Sequence, residues 1–285
     1  MPEEKILILP SGIKIHYLHR PGEIHPQDGR NGGTSPLRSI SSGGATADEP
    51  VLFIHGYADS SHSFDRLAPF LKRGLNHYFL DLRGHGDSAK PETGYAVADF
   101  VQDVVSFAQP LNQPRISLVG HSMGGVIAQK IAAAHPELVS KMILINSSAR
   151  AKGNSVLSAI KDEVDSFTEA VDDVFIKDFQ TPGSPVPASF LETIISESKK
   201  VPLAVWQQVI SGLLEADNSA TLRQITADTL LLYGENDAVF SLADQQYLLD
   251  HIPASSLRRI PGAGHAPHWE KPELAAEAIN RFLGQ

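Results

Sequence analysis

Six short stretches of this sequence, VLFIH (51–55), HYFLDL (77–82), ISLVG (116–120), MILIN (142–146), TLLLYG (229–234) and LRRIP (257–261), are largely apolar runs with little alternation. A strand half exposed to water alternates apolar and polar residues, whereas a parallel strand covered by helices on both faces has no polar side to show. Between the runs stand segments with helical periodicity: FDRLAPFLKRG (64–74), AVADFVQDVVSFAQ (96–109), GGVIAQKIAAAH (124–135), ADQQYLLDHI (243–252) and PELAAEAINRFL (272–283). Strand and helix in alternation predict an α/β fold, a doubly wound and mostly parallel sheet with helices on both faces.

Two segments depart from this rhythm. From residue 150 to about 220 a strand is overdue, and only helical pattern and the Pro-rich connector TPGSPVP (181–187) appear. A crossover needs only about a dozen residues, so 150–220 reads as an inserted helical cap on a core formed by 1–149 and 221–285. Residues 19–50 are rich in Gly, Ser and Pro without periodicity and read as a long loop or insertion, either a passive excursion or a lid. Ahead of it, Ile6 to Leu9 and the alternating Ile13, Ile15 and Tyr17 flank Ser11-Gly12, the pattern of an antiparallel hairpin.

The chemistry centres on GHSMGG (120–125), placed between a buried strand and a helix. A serine on a tight strand-to-helix turn brings the residues two before and two after it against each other, and Gly120 and Gly124 occupy those positions around Ser122. Such a turn projects the hydroxyl from the carboxyl edge of the sheet, with the positive end of the next helix beside it. Ser122 is therefore the candidate nucleophile. A serine hydroxyl needs a base and an acid to orient that base. In GENDAVF (234–240) and GAGHAPHWEKP (262–272), each following a strand, Asp237 and His265 complete the order Ser, Asp, His. Glu235 is the rival acid and His268 the rival base; His268 reads better as a packing or capping residue beside Trp269. His55 reads as a structural partner shaping a loop, His121 as packed in the elbow, and His85 and Asp87 as turn residues.

Together HGYADSSHSFDRL (55–67), FLDLRGHGDSAKP (79–91), GHSMGG, GENDAVF and GAGHAPHWEKP resemble the landmarks of the α/β-hydrolase superfamily, in its capped, serine-nucleophile branch, over residues 51–149 and 221–285. The resemblance implies Ser122 as nucleophile, His265 as base and Asp237 as acid, with the backbone N–H groups of Tyr57 and Met123 as the oxyanion hole. Serine in place of aspartate at the elbow disfavours dehalogenases and epoxide hydrolases. It implies acyl chemistry on a small ester or lactone, of carboxylesterase or lactonase type. Carbon–carbon bond hydrolases of ring-cleavage pathways resemble the chain in SMGG and in the Trp after the histidine motif, but their Gly- and Pro-rich oxyanion loop is replaced here by HGYADSS. Cofactor-free perhydrolases, and small-molecule receptors that keep the triad, share the layout.

Composition removes other classes. A net charge of −9 leaves no basic stripe, which argues against nucleic acid and anionic membrane surfaces as partners. With no cysteine there is neither thiolate chemistry nor a Cys-ligated zinc, and no H-E-x-x-H or G-x-G-x-x-G pattern points to a metal or dinucleotide cofactor. The first residues, MPEEKILILPSGIKIHY, lack a signal-peptide pattern, and no run approaches the roughly 18 apolar residues of a membrane span. A soluble, cytoplasmic, cofactor-free protein is expected. Its pocket is expected between sheet edge and cap, with Tyr57, Phe64, Met123, Trp206 and Trp269 as walls.

Overall fold

The doubly wound sheet expected from the apolar runs is present in the computed structural model, which describes residues 2–22 and 49–284. Its strands are β1 (Glu3–Ile8), β2 (Lys14–Arg20), β3 (Pro50–Ile54), β4 (Asn76–Leu80), β5 (Ile116–His121), β6 (Val139–Ile145), β7 (Asp228–Gly234) and β8 (Ser255–Ile260). They form one sheet in the order β1-β2-β4-β3-β5-β6-β7-β8. The β1–β2 hairpin is antiparallel and pairs antiparallel with β4; every other neighbour pair is parallel. The helices are α1 (Val97–Ala108), α2 (Met123–Ala134), α3 (Ser155–Ser166), α4 (Asp173–Phe179), α5 (Ala188–Lys199), α6 (Leu203–Leu214), α7 (Leu242–His251), the short α8 (Pro267–Glu270) and α9 (Pro272–Leu283).

Except in the edge strand β8, where Arg258 and Arg259 are exposed and the expected burial on both faces fails, the apolar runs have no polar face because successive side chains serve two separate cores. Leu52, Ile54, Leu118, Met142, Leu144 and Leu231 point into one core with α1 and α2. Val51, Phe53, Val119, Ile143, Ile145 and Leu232 point into the other, against α9.

Two further expectations need correction. Residues 64–74, read as a helix, form two 3₁₀ turns, Ser61–Phe64 and Ala68–Phe70. Pro69 has no N–H to continue an α-helical ladder, so the periodic Phe64, Leu67 and Leu71 reach the second core from turns. The loop assigned to 19–50 starts later and ends earlier, since His19 and Arg20 pair with Tyr78 and His77, and Pro50 opens β3. Residues 23–48, and with them the choice between excursion and lid, lie outside the described residues.

Between β6 and β7 the chain forms α3 to α6. Arg150 and Asp217 pair in an isolated antiparallel bridge, so the two ends of this segment leave the core side by side. The segment meets the carboxyl edge of the sheet through Tyr57, whose hydroxyl donates to the Trp206 carbonyl at 2.9 Å, and through Ser198, whose hydroxyl donates to the Ala58 carbonyl at 2.8 Å. Among the described residues no helix is long and apolar enough to cross a membrane.

Candidate active site

Ser122 occupies the turn between β5 and α2 with φ 52° and ψ −116°, a conformation that costs a residue with a Cβ about 1–3 kcal/mol and persists only where its surroundings impose it. The Ser122 N–H donates to the Ile145 carbonyl at 3.0 Å, and its own carbonyl accepts the Ser147 hydroxyl and the Gly125 N–H, both at 2.9 Å. The two glycines have the steric role expected of them. A Cβ at Gly120 would lie 2.3 Å from the Gly124 carbonyl oxygen, and one at Gly124 would lie 2.1 Å from that of Ile54.

Asp237 and His265 stand on the loops after β7 and β8, at the same edge of the sheet as Ser122. Asp237 Oδ1 lies 2.9 Å from His265 Nδ1. A carboxylate only accepts, so Nδ1 carries the proton and Nε2 is left with a free lone pair. The Asp237 side chain is buried, and the Val239 N–H donates to the same oxygen at 2.8 Å. Glu235, the rival acid, is instead paired with Arg259 at 2.9 Å. The His265 loop is tied down on several sides. His121 Nε2–H donates to the His265 carbonyl at 3.0 Å, Asn146 Nδ2–H to the Gly264 carbonyl at 2.7 Å, and the Gly264 N–H to Glu270 Oε2 at 2.8 Å.

Four further histidines around the site, His268, His121, His55 and His85, are buried and held neutral. His268, the rival base, lies under the site with Nε2 3.1 Å from Ser63 Oγ, and burial holds its pKa down at about 3. His121 is likewise held well below the ordinary value by burial, with His268 and His265 adding to the effect. His55 Nε2 accepts the Leu82 N–H at 3.0 Å and Nδ1–H donates to the Gly56 carbonyl at 2.7 Å, so this ring shapes the loop as expected. His85 does more than turn the chain. Its Nε2 accepts the N–H of Ala58, a non-glycine residue at φ 56°, at 3.3 Å. Asp81 anchors the next part of that loop by accepting the Ser61 N–H at 2.7 Å, and its other oxygen accepts from His16 at 2.8 Å. Burial alone would raise Asp81, but these bonds hold it well below the carboxylate range.

Ser122 and His265 open into one cavity of about 460 Å³, walled from the sheet side by Tyr57, Asp59 and Trp269 and from α3 and α4 by Leu157, Phe175 and Phe179. Of the expected walls, Tyr57 and Trp269 are cavity residues. Phe64 is not: it is fully buried in the second core, packed among Phe53, Phe79 and His268. Trp206 also lies behind the wall, fully buried with its ring 5.1 Å from that of Tyr57. The Met123 side chain packs wholly into the first core, which leaves its backbone N–H at the start of α2. Among the described residues neither the Tyr57 nor the Met123 N–H has an intramolecular acceptor. Asp59 went unread in the sequence. It is a buried carboxyl on the cavity wall, pushed up to about 7 by burial.

Comparison with known proteins agrees with this fold. The model of the "Alpha/beta hydrolase family" matches residues 51–278. The chain belongs to the alpha/beta hydrolase family. It is 30% identical to the pimeloyl-[acyl-carrier protein] methyl ester esterase of Chromobacterium violaceum over 82% of this chain and 93% of that one. It is 28% identical to the 2-(acetamidomethylene)succinate hydrolase of Mesorhizobium japonicum, over 82% and 87%. An esterase from Exiguobacterium antarcticum shares the alpha/beta hydrolase fold with TM-score 0.82 and 22% identity, over 99% of this chain and 100% of that one.

Proposed function

We propose that this protein is a serine hydrolase that cleaves a small-molecule carboxylic ester or lactone through an acyl-enzyme on Ser122. The reading is carried by one observation: the strained elbow serine shares a cavity with a histidine whose Nδ1 is fixed by a buried carboxylate. In this mechanism His265 Nε2 takes the Ser122 proton as Oγ adds to the substrate carbonyl carbon. The oxyanion receives the N–H groups of Tyr57 and Met123, each such donor stabilising the transition state by about 3–4 kcal/mol. The bond from carbonyl carbon to leaving oxygen then breaks, and the imidazolium returns the proton to the departing alkoxide. Water activated by the same imidazole releases the acid. An ester-cleaving relative in Chromobacterium violaceum supports the class of bond.

The helices α3 to α6 act here as a cap. Leu157, Ile160, Phe175 and Phe179 give the cavity an apolar wall, suited to a medium-sized apolar acyl group. The test is pH-stat hydrolysis of esters and lactones graded in acyl length, wild type beside Ser122→Ala. Turnover abolished in the variant supports the reading; equal turnover in both proteins overturns it.

A further inference from the structure

Two hydrogen-bond chains leave the segment between α4 and α5 and reach the two loops on which the proposed chemistry depends. At the start of that segment, Gln180 is buried, and its Nε2–H donates to Ser198 Oγ at 2.8 Å. The Ser198 hydroxyl donates in turn to the Ala58 carbonyl at 2.8 Å, one residue past the Tyr57 N–H. At the other end, the Ser184 hydroxyl donates to Glu270 Oε2 at 2.7 Å, and that same oxygen accepts the Gly264 N–H at 2.8 Å, one residue before His265. The backbones touch there as well, since a Cβ at Gly183 would lie 2.9 Å from Gly264 Cα. Between these anchors Gln180, Thr181, Pro182 and Gly183 line the cavity.

We propose that residues 180–184 form a strap that couples filling of the cavity to the alignment of the oxyanion loop and the His265 loop, with Ser198 and Glu270 as positioning residues at its two ends. The inference rests on the serine hydrolase reading above. Glu270 is only 5% exposed, so its carboxylate depends on the donors it has: Ser184 and Gly264 share Oε2, and the Ala266 N–H donates to Oε1 at 3.4 Å. Displacing Ser184 therefore changes how firmly Gly264 is held. Prolines at 182 and 185 limit the conformations through which the strap could absorb a push without passing it on. A ligand that touches the strap interacts differently with its aligned and displaced states, as a population shift requires; a ligand too short to reach it does not.

The experiment compares wild type, Ser184→Ala and Glu270→Gln on 4-nitrophenyl acetate and hexanoate, with hydrogen exchange followed by mass spectrometry on the same proteins. In the wild type, kcat should rise from acetate to hexanoate. Ser184→Ala should remove about a tenfold part of that rise while leaving the acetate kcat within about twofold and the hexanoate KM unchanged. Glu270→Gln should lower kcat on both esters at an unchanged melting temperature, because the Gly264 tie itself is weakened. Exchange in peptides covering 262–270 should quicken in both variants, with β7 peptides unaffected. Ser184→Ala that keeps the full acyl-length response and wild-type exchange over 262–270 overturns the strap. Absence of ester turnover in the wild type would sink the hydrolase reading alone, and the exchange result would still decide whether the strap holds the His265 loop.

Discussion

Asp237 Oδ1 receives three hydrogen bonds at once, from His265 Nδ1 at 2.9 Å, the Val239 N–H at 2.8 Å and the Phe240 N–H at 3.2 Å. The carboxylate is thereby locked by its own loop and has one direction left in which to orient the imidazole. Asp237→Asn places an amide where only an acceptor suits His265. The prediction is a kcat on esters lower by a factor on the order of 10³–10⁴, with little change in melting temperature. Glu235→Gln, which only breaks a surface pair with Arg259, should stay within about twofold of wild type. Steady-state kinetics of the two variants side by side checks both claims.

The elbow leaves no room for a methyl group. In Gly120→Ala the new Cβ would sit 2.3 Å from the Gly124 carbonyl oxygen, which is backbone and cannot swing aside. Destabilisation of about 3 kcal/mol or more is expected, read as a lowered urea midpoint at unchanged m-value. A wild-type midpoint would show that the turn relaxes freely.

His85 supports the loop that presents the Tyr57 N–H. His85→Ala leaves the buried Ala58 N–H without its acceptor, which costs about 1–3 kcal/mol. Ester turnover should fall through kcat more than through KM, because in the proposed mechanism the loop meets the developing oxyanion and not the acyl chain. A KM effect alone would place His85 outside the oxyanion loop's support.

Asp59 makes stability depend on pH. Burial raises its carboxyl from an ordinary 3.8 to about 7 in the fold. The folded state thus holds this proton more tightly than the unfolded chain, and the associated stability is full below pH 3.8 and lost as pH rises towards 7. Asp59→Asn keeps an acceptor for the Ser60 N–H and carries no charge to bury. Its melting temperature relative to wild type should be higher at pH 8 than at pH 4, and calorimetry at the two values decides it.

Phe179 stands between cavity and wall, with its ring 5.7 Å from that of Tyr57 and 5.2 Å from that of Trp206. Phe179→Ala should move the preferred acyl length upward by several carbons at modest cost to kcat on short esters. The wholly buried Trp206 is a packing residue, and Trp206→Ala should lower stability by about 3–5 kcal/mol. An unchanged acyl profile in Phe179→Ala would move the acyl site elsewhere in the cavity.

The parallel sheet, the elbow and the Asp237–His265 pair were legible in the sequence because each is written over a few neighbouring residues. Apolar runs report burial on both faces, and Gly120 and Gly124 report a turn too tight for a Cβ. The 64–74 segment misled because its apolar spacing is the same for a helix and for two turns broken by Pro69. The tertiary structure alone decided that Trp269 faces the cavity while Phe64 and Trp206 do not, and that Asp81, His85, Asn146 and Glu270 hold the loops that carry Tyr57 and His265. Those roles join residues far apart in the chain, such as Ser184 and Glu270, separated by 86 positions. A local pattern sets backbone conformation through neighbours a few residues away; the direction a side chain faces, and the partner it meets, are set only when whole elements pack.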